Sequence, residues 1–372
     1  MDYLIIDADG HVVEDGYGSK FEMYLEGKAA QRVKLVPLEA QHLGIIIDGE
    51  QFPRNRGGAK HPRTVHGVDI VHIQRERAGN WDPHARIKYL DADGIGISVL
   101  FSSCMPLQSY AYGAYPQDTD PQLAAAISRA YNNWIADFCK AYPTRYKASA
   151  SVPLADIELA LSEGERAVNQ LGCVAITMLP YVNGKTLDHH YYHPLYALVQ
   201  SWGGAIGVHS MGAVEGSIGV GRYGDLFFNH IFHHPFEQML AMASVVAGGV
   251  LDQFPRLRFA FLEGDSGWLP WWVDRLDDHY EKLASLVPAK AEPSEYIKGS
   301  QCYVGSEVDE TTFLQTAEAV GEDHVVFASD YCHWDSKMPG AVAAILDRPT
   351  LPDRLKRKIL SENPARLYRL AN

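Results

Sequence analysis

Short apolar runs recur along the chain, separated by longer stretches in which apolar positions return every three or four residues. The runs are Leu4–Ile6, Ile97–Phe101, Ala148–Val152, Val174–Ile176, Ala205–Val208, Leu257–Leu262, Cys302–Val304 and Val325–Ala328. Runs that are apolar without alternation suit strands buried on both faces, as in a parallel sheet covered by helices. Amphipathic segments at Pro121–Tyr142, Ile157–Leu171, Pro194–Trp202, Pro235–Phe254 and Asp309–Val320 predict helices between them. Eight strand candidates alternating with helix candidates predict an α/β architecture, a (β/α)8 TIM barrel, ahead of two open-sheet domains.

Two stretches break the alternation. Val12 to Gly94 holds Pro37, Pro53, Gly57-Gly58 and Pro62 among many polar residues, and a connection that long is usually functional. We read residues 12–94 as a cap over the barrel mouth, inserted after the first strand of a single domain spanning 1–372. Residues 210–234, with Gly212, Gly216, Gly219, Gly221 and Gly224, read as a lid-like loop before the next helix.

The chain has 372 residues, with 33 Lys and Arg against 46 Asp and Glu. A formal charge of -13 argues against nucleic acid or an anionic membrane surface as partner, since both need a basic face. No apolar run approaches the roughly 20 residues that span a bilayer. Met1-Asp2-Tyr3 leads straight into the first run without a basic segment, so the expected location is cytoplasmic. The five cysteines, Cys104, Cys139, Cys173, Cys302 and Cys332, are scattered and form no C-x-x-C pair, which suggests reduced, mostly buried thiols.

Histidine stands out, with 16 copies, several beside carboxylates at predicted strand ends. In a TIM barrel the C-terminal ends of the strands form the active site. Asp7, Asp9 and His11 follow the first run, His209 the fifth, Glu263 the sixth and Asp330 the eighth. Asp9 and His11 are two apart and share a strand face. Carboxylates gathered in one place repel unless a cation or proton lies between them, and mixed imidazoles and carboxylates are what a zinc, manganese or iron site requires.

Ile6-Asp7-Ala8-Asp9-Gly10-His11, Gly207-Val208-His209, the run Gly249 to Arg258, Leu262-Glu263-Gly264, Ser329-Asp330-Tyr331 and the run Ile359 to Tyr368 together resemble the amidohydrolase-2 group of the amidohydrolase superfamily. That group includes aminocarboxymuconate-semialdehyde decarboxylase and related aromatic acid decarboxylases. The resemblance implies a TIM barrel with a divalent metal at its mouth. It places the first-strand H-x-H pair on Asp9 and His11, the fifth-strand histidine on His209 and the eighth-strand aspartate on Asp330. The chain departs from the pattern in having Asp9 for the first histidine, and Glu263 where the decarboxylases resemble one another in a proton-transferring histidine. The carboxylated lysine of many superfamily members has no counterpart, since Thr177-Met178-Leu179-Pro180 follows the fourth run.

The expected activity is hydrolysis or decarboxylase-type cleavage of a small or medium organic acid, ester or related compound. Glu263 or Asp330 would move the proton, and one zinc or manganese would be the cofactor. A branch resembling this chain includes a nonheme diiron monooxygenase, which implies an alternative with two irons held by Asp9, His11, His209, His234, Glu263 and Asp330. His230, His233 and His234 compete for the last of those places, ahead of Pro235. A degenerate ligand-binding barrel is the non-enzymatic alternative. The resemblance and the aromatic-rich C-terminal half suggest a homodimer.

His333 and Arg222 are candidate substrate contacts, and Glu14 could orient His11. Arg63, Arg75 and Arg77 lie in the presumed cap. Gly219-Val220-Gly221-Arg222-Tyr223-Gly224 matches G-x-G-x-x-G but follows a loop, so dinucleotide binding is set aside. Ser266 within Gly264-Asp265-Ser266-Gly267 reads as a capping residue, and Trp268, Trp271 and Trp272 as packing residues.

Overall fold

Eight parallel strands, each hydrogen-bonded to the next in chain order, form the centre of the computed structural model. They are β1 (Ile6–Val12), β2 (Ile97–Ser102), β3 (Tyr146–Ala150), β4 (Ala175–Met178), β5 (Ala205–His209), β6 (Arg258–Leu262), β7 (Cys302–Glu307) and β8 (Val325–Ala328). The structure describes residues 3–14, 18–37, 43–52, 64–65, 68–69, 77–115, 117–210, 218, 222 and 226–370. Main-chain bonds from Asp330 N to Asp9 O (3.0 Å) and from His11 N to Tyr331 O (2.6 Å) join the chain leaving β8 to β1, and the sheet closes as a TIM barrel.

Helices cover the strands as the apolar spacing requires. They include α1 (Pro83–Asp93), α2 (Pro121–Lys140), α3 (Ile157–Asn169), α4 (His193–Trp202), α5 (Leu226–Ala247), α6 (Leu269–Leu283), α7 (Phe313–Val320) and α8 (Asn363–Tyr368). Ala8, Val99, Phe101, Ala175, Ala205, Ala260, Leu262, Tyr303 and Val326 pack into one buried cluster with Leu367 and Tyr368 of α8. The Tyr368 hydroxyl donates to Ala8 O at 2.8 Å, so α8 is fastened to β1. None of the five cysteines is in a disulfide.

The pairing of β1 with β2 shifts register between Asp7 and Gly10, a bulge that re-aims the residues after it. Only glycine fits at position 10: a Cβ there would stand 2.5 Å from Ser98 Oγ and 2.6 Å from Asp7 Oδ2.

The structure differs from the sequence expectation in three places. β1 runs through Asp7, Asp9 and His11 instead of stopping before them. Pro83–Asp93 is α1, the helix that leads into β2, so the stretch without a barrel element ends sooner than Gly94. The described part of that stretch carries the antiparallel strands Val33–Pro37, Leu43–Ile47 and Glu50–Phe52. It packs on α2: Trp134 Nε1 donates to Ser19 O at 3.0 Å, and Arg32 bridges Asp48 and Asp120.

The third difference is α5, which begins at Leu226, so the last nine residues of the expected lid (226–234) are helical. Pro235 lies inside this helix, where it removes one N–H, instead of opening it. His233, Glu237, Gln238, Ala241 and Met242 are all buried, a helical face that continues unbroken through the proline. Residues 211–217, 219–221 and 223–225, including most of the glycine motif, lie outside the described residues, as do Arg63 and Arg75.

Candidate metal centre

Three strands bring four side chains to one point at the C-terminal mouth. Asp9 and His11 come from β1 beyond its bulge, His209 is the last residue of β5, and Asp330 follows β8. All four are almost wholly buried. His11 Nε2 lies 3.3 Å from Asp9 Oδ1 and 3.3 Å from Asp330 Oδ1, and His209 Nε2 lies 3.5 Å from Asp9 Oδ2.

Both Asp9 oxygens, His11 Nε2 and His209 Nε2 are buried without a hydrogen-bond partner. Leaving so many buried polar atoms unpaired is costly unless something fills the space among them. Donors bonded at about 2.1 Å to one cation stand roughly 3.0–3.5 Å apart, which is the spacing seen here. The chemistry of the set, two imidazole nitrogens and two carboxylates, suits zinc, manganese or iron.

Glu263 stands immediately behind this set. Its Oε2 is 3.0 Å from His209 Nδ1 and 3.4 Å from His234 Nδ1, and its Oε1 is 3.3 Å from His333 Nδ1. Both oxygens thus meet imidazoles. His333 Nδ1 also reaches Asp330 Oδ1 at 2.8 Å, while its Nε2 is 3.1 Å from Ser103 Oγ. Its ring centroid is 4.1 Å from that of His11. Glu263 (φ 57°) and Asp330 (φ 51°) both occupy the left-handed region, a strained conformation for residues with a Cβ that is characteristic of functional turns.

Electrostatics follow from the crowding. Burial works to raise the Asp9 carboxyl, but His209 and His11 outweigh it and hold it at about 2. Burial and His333 push His11 down to about 4 against the pull of Asp9. Burial would lower His209 too, yet Glu263 and Asp9 lift it well above the usual histidine range. Burial drives the Asp330 carboxyl up to about 8, with His333 opposing.

The structure therefore brings together Asp9, His11, His209, Glu263, Asp330 and His333. Among the described residues two groups have donor atoms within 4.8 Å of one another: Asp9, His11 and His209, and His11, Glu263, Asp330 and His333. His234 reaches the Glu263 oxygen that also meets His209, none of the four central residues, and bonds Ser210 Oγ at 2.8 Å. His230 turns to Asp335 (3.5 Å) and the Trp334 ring. Arg222 is exposed. Asp7 faces away from the donor set and accepts from Ser98 Oγ (2.6 Å), Ser329 N (2.9 Å) and Ser329 Oγ (2.8 Å).

Glu14 is buried against Ser102 and Gln108. Ser266 bonds Glu310, and Trp271 is exposed where packing was expected. Sequence reasoning missed Ser103, Ser210 and Arg86. Ser103 and Ser210 carried a usable signal, each standing two residues past an apolar run, the second and the fifth.

The Amidohydrolase family model Amidohydro_2 matches residues 6–370. The chain belongs to the amidohydrolase family. This amidohydrolase is 30% identical over 254 residues to 2-amino-3-carboxymuconate-6-semialdehyde decarboxylase of Dictyostelium discoideum, covering 68% of this chain and 67% of the relative. It is 25% identical over 294 residues to gamma-resorcylate decarboxylase of Rhizobium radiobacter, covering 77% and 86%. Among solved structures it resembles 5-carboxyvanillate decarboxylase of Novosphingobium aromaticivorans, complexed with manganese and 4-hydroxy-3-methoxy-5-nitrobenzoic acid. The TM-score is 0.71 at 20% identity, with 99% of this chain and 97% of that one covered. The amidohydrolase is thus a metal-dependent enzyme of this superfamily.

Proposed function

We propose that this amidohydrolase releases CO2 from an aromatic or otherwise unsaturated carboxylic acid, with one divalent cation held by Asp9, His11, His209 and Asp330. The carrying observation is the set of buried donor atoms on these four residues at ligand spacing, those of Asp9, His11 Nε2 and His209 Nε2 unpaired. The decarboxylase names of the relatives and the manganese in the structural neighbour support the reading. Manganese or iron suits the carboxylate-rich set better than zinc.

When bound, the cation would polarise a substrate oxygen as a Lewis acid. The side chains do the rest. Glu263 engages His209 Nδ1 and so leaves Nε2 free to face the cation, the orienting role that a carboxylate behind a ligating histidine performs. His333 Nδ1, between Asp330 and Glu263, stores a proton where the carbon that loses CO2 must gain one. That proton leaves in the product, so His333 must be recharged from solvent each turnover, with Asp330 and Glu263 stabilising the protonated ring. The mouth is lined by buried groups, which restricts water at the reacting carbon.

The protein is also proposed to be a cytoplasmic homodimer. Phe227, Phe228, Ile231, Phe236 and Leu240 of α5 and Trp271 of α6 expose apolar surface that a second copy would cover. A monomer mass by light scattering would remove that part.

The activity test is CO2 release by the manganese-loaded protein from 2,6-dihydroxybenzoate, 5-carboxyvanillate and 2-amino-3-carboxymuconate-6-semialdehyde, with oxygen uptake recorded in parallel. The expected result is CO2 without oxygen uptake. The His11, Glu263, Asp330 and His333 group favours a second reading, with a second cation beside the first. Two irons per chain and substrate-dependent oxygen uptake would decide for it.

A further inference from the structure

Arg86 of α1 is fully buried, a rare place for a guanidinium. Its Nη1 donates to His11 O at 2.6 Å and its Nη2 to Tyr331 O at 3.3 Å, with the guanidinium 4.8 Å from the centre of the Tyr331 ring. One of these carbonyls belongs to a proposed ligand, and the other to the residue that follows the left-handed Asp330. Tyr331 O also accepts the His11 N–H at 2.6 Å, so the three groups form a single knot between β1 and the end of β8.

The knot has a counter-charge. Arg86 Nη2, Asp7 Oδ2 and Ser98 Oγ all lie within 3.0 Å of the point where a Cβ would stand on Gly10. Guanidinium and carboxylate therefore flank the main chain between Asp9 and His11. Asp7 in turn grips Ser98 of β2 and Ser329 beyond β8. A guanidinium inside a barrel costs desolvation that apolar packing would avoid, which points to a geometric task.

We propose that Arg86 is a positioning residue for the metal centre: its two-pronged donation sets the main chain of His11 and of the Asp330-Tyr331 turn. Their donor atoms then stand at ligand spacing before a cation arrives. This rests on the metal reading above. A planar fork is needed because one carbonyl lies on β1 and the other in the turn after β8, and a lysine ammonium on its flexible stem does not hold both in one geometry. Supporting contacts of this kind alter metal affinity by about 10–100-fold.

The test is titration with Mn²⁺ alone, and the visible spectrum with Co²⁺ alone, for the wild type, Arg86→Lys, and Arg86→Ala with and without added guanidinium ion. Circular dichroism reports the fold. Expected are wild-type-like dichroism, Mn²⁺ affinity 10–100-fold weaker in both variants, an altered Co²⁺ spectrum, and partial recovery of Arg86→Ala with guanidinium. Folded variants with unchanged affinity and spectrum would overturn the proposal. So would variants that do not fold even with guanidinium, since Arg86 would then serve the barrel instead of the centre. A wild type that binds neither cation overturns the metal reading itself, a distinguishable result.

Discussion

Gly10 separates Asp9 from His11, and the atoms beneath it are the Asp7 carboxylate, the Ser98 hydroxyl and the Arg86 guanidinium. Gly10→Ala must displace at least two of them. The expected cost is about 1–3 kcal/mol of stability, read by chemical denaturation, together with weaker metal binding. His209→Ala and Asp330→Ala should each fold, since both residues stand at the mouth beyond the apolar runs of their strands, yet lose metal at least about 100-fold by elemental analysis after dialysis. Glu263→Gln separates roles: the amide oxygen can still accept from His209 Nδ1, so one metal per chain should remain while turnover falls. At this scale the sequence shows the acids and imidazoles that follow apolar runs. It does not show which Glu263 oxygen meets which ring, because that depends on the left-handed turn after β6. Arg86 is invisible for another reason. It sits in the polar segment Pro83–Asp93, and its burial follows from main-chain carbonyls of His11 and Tyr331, which only the folded barrel brings to it.

The barrel strands are legible because a strand covered on both faces is largely apolar, and β2 to β8 overlap such runs, although β3 begins two residues before its run and includes Lys147. β1 hides its extent, since Asp7, Asp9 and His11 are polar residues inside a strand. α5 hides its start, because Pro235 imitates a helix N-terminus. An interior proline costs about 3 kcal/mol relative to alanine. Pro235→Ala should therefore raise the melting temperature by several degrees, and a changed pH–rate profile would show that the break positions His234 beside Glu263. α3 offers a control remote from the site. The Asp156 side chain accepts from Glu158 N at 3.0 Å and Leu159 N at 3.1 Å. Asp156→Ala should cost about 1 kcal/mol by denaturation and leave metal content unchanged.

For the whole molecule, metal binding is coupled to protons. Without a cation His209 stays protonated at neutral pH, since Glu263 and Asp9 lift it well above its usual value against the effect of burial. Burial brings Asp330 to about 8, so its carboxyl is also largely protonated at pH 7. A cation must displace those protons, and raising the pH removes the competition. Between pH 6 and 8 the apparent Mn²⁺ affinity should rise, with roughly one to two protons released per cation. Calorimetry in buffers of different ionisation enthalpy measures the release, and a pH-independent affinity would refute the coupling. The net charge of -13 leaves the overall field favourable to a cation approaching the mouth.

Anomalous diffraction from crystals of the manganese-loaded protein tests the central claim most directly. The account predicts one manganese peak per chain, bonded to Asp9, His11, His209 and Asp330, with Glu263 bonded to His209 and not to the metal. A peak elsewhere in the molecule, or no peak among these four residues, would contradict it.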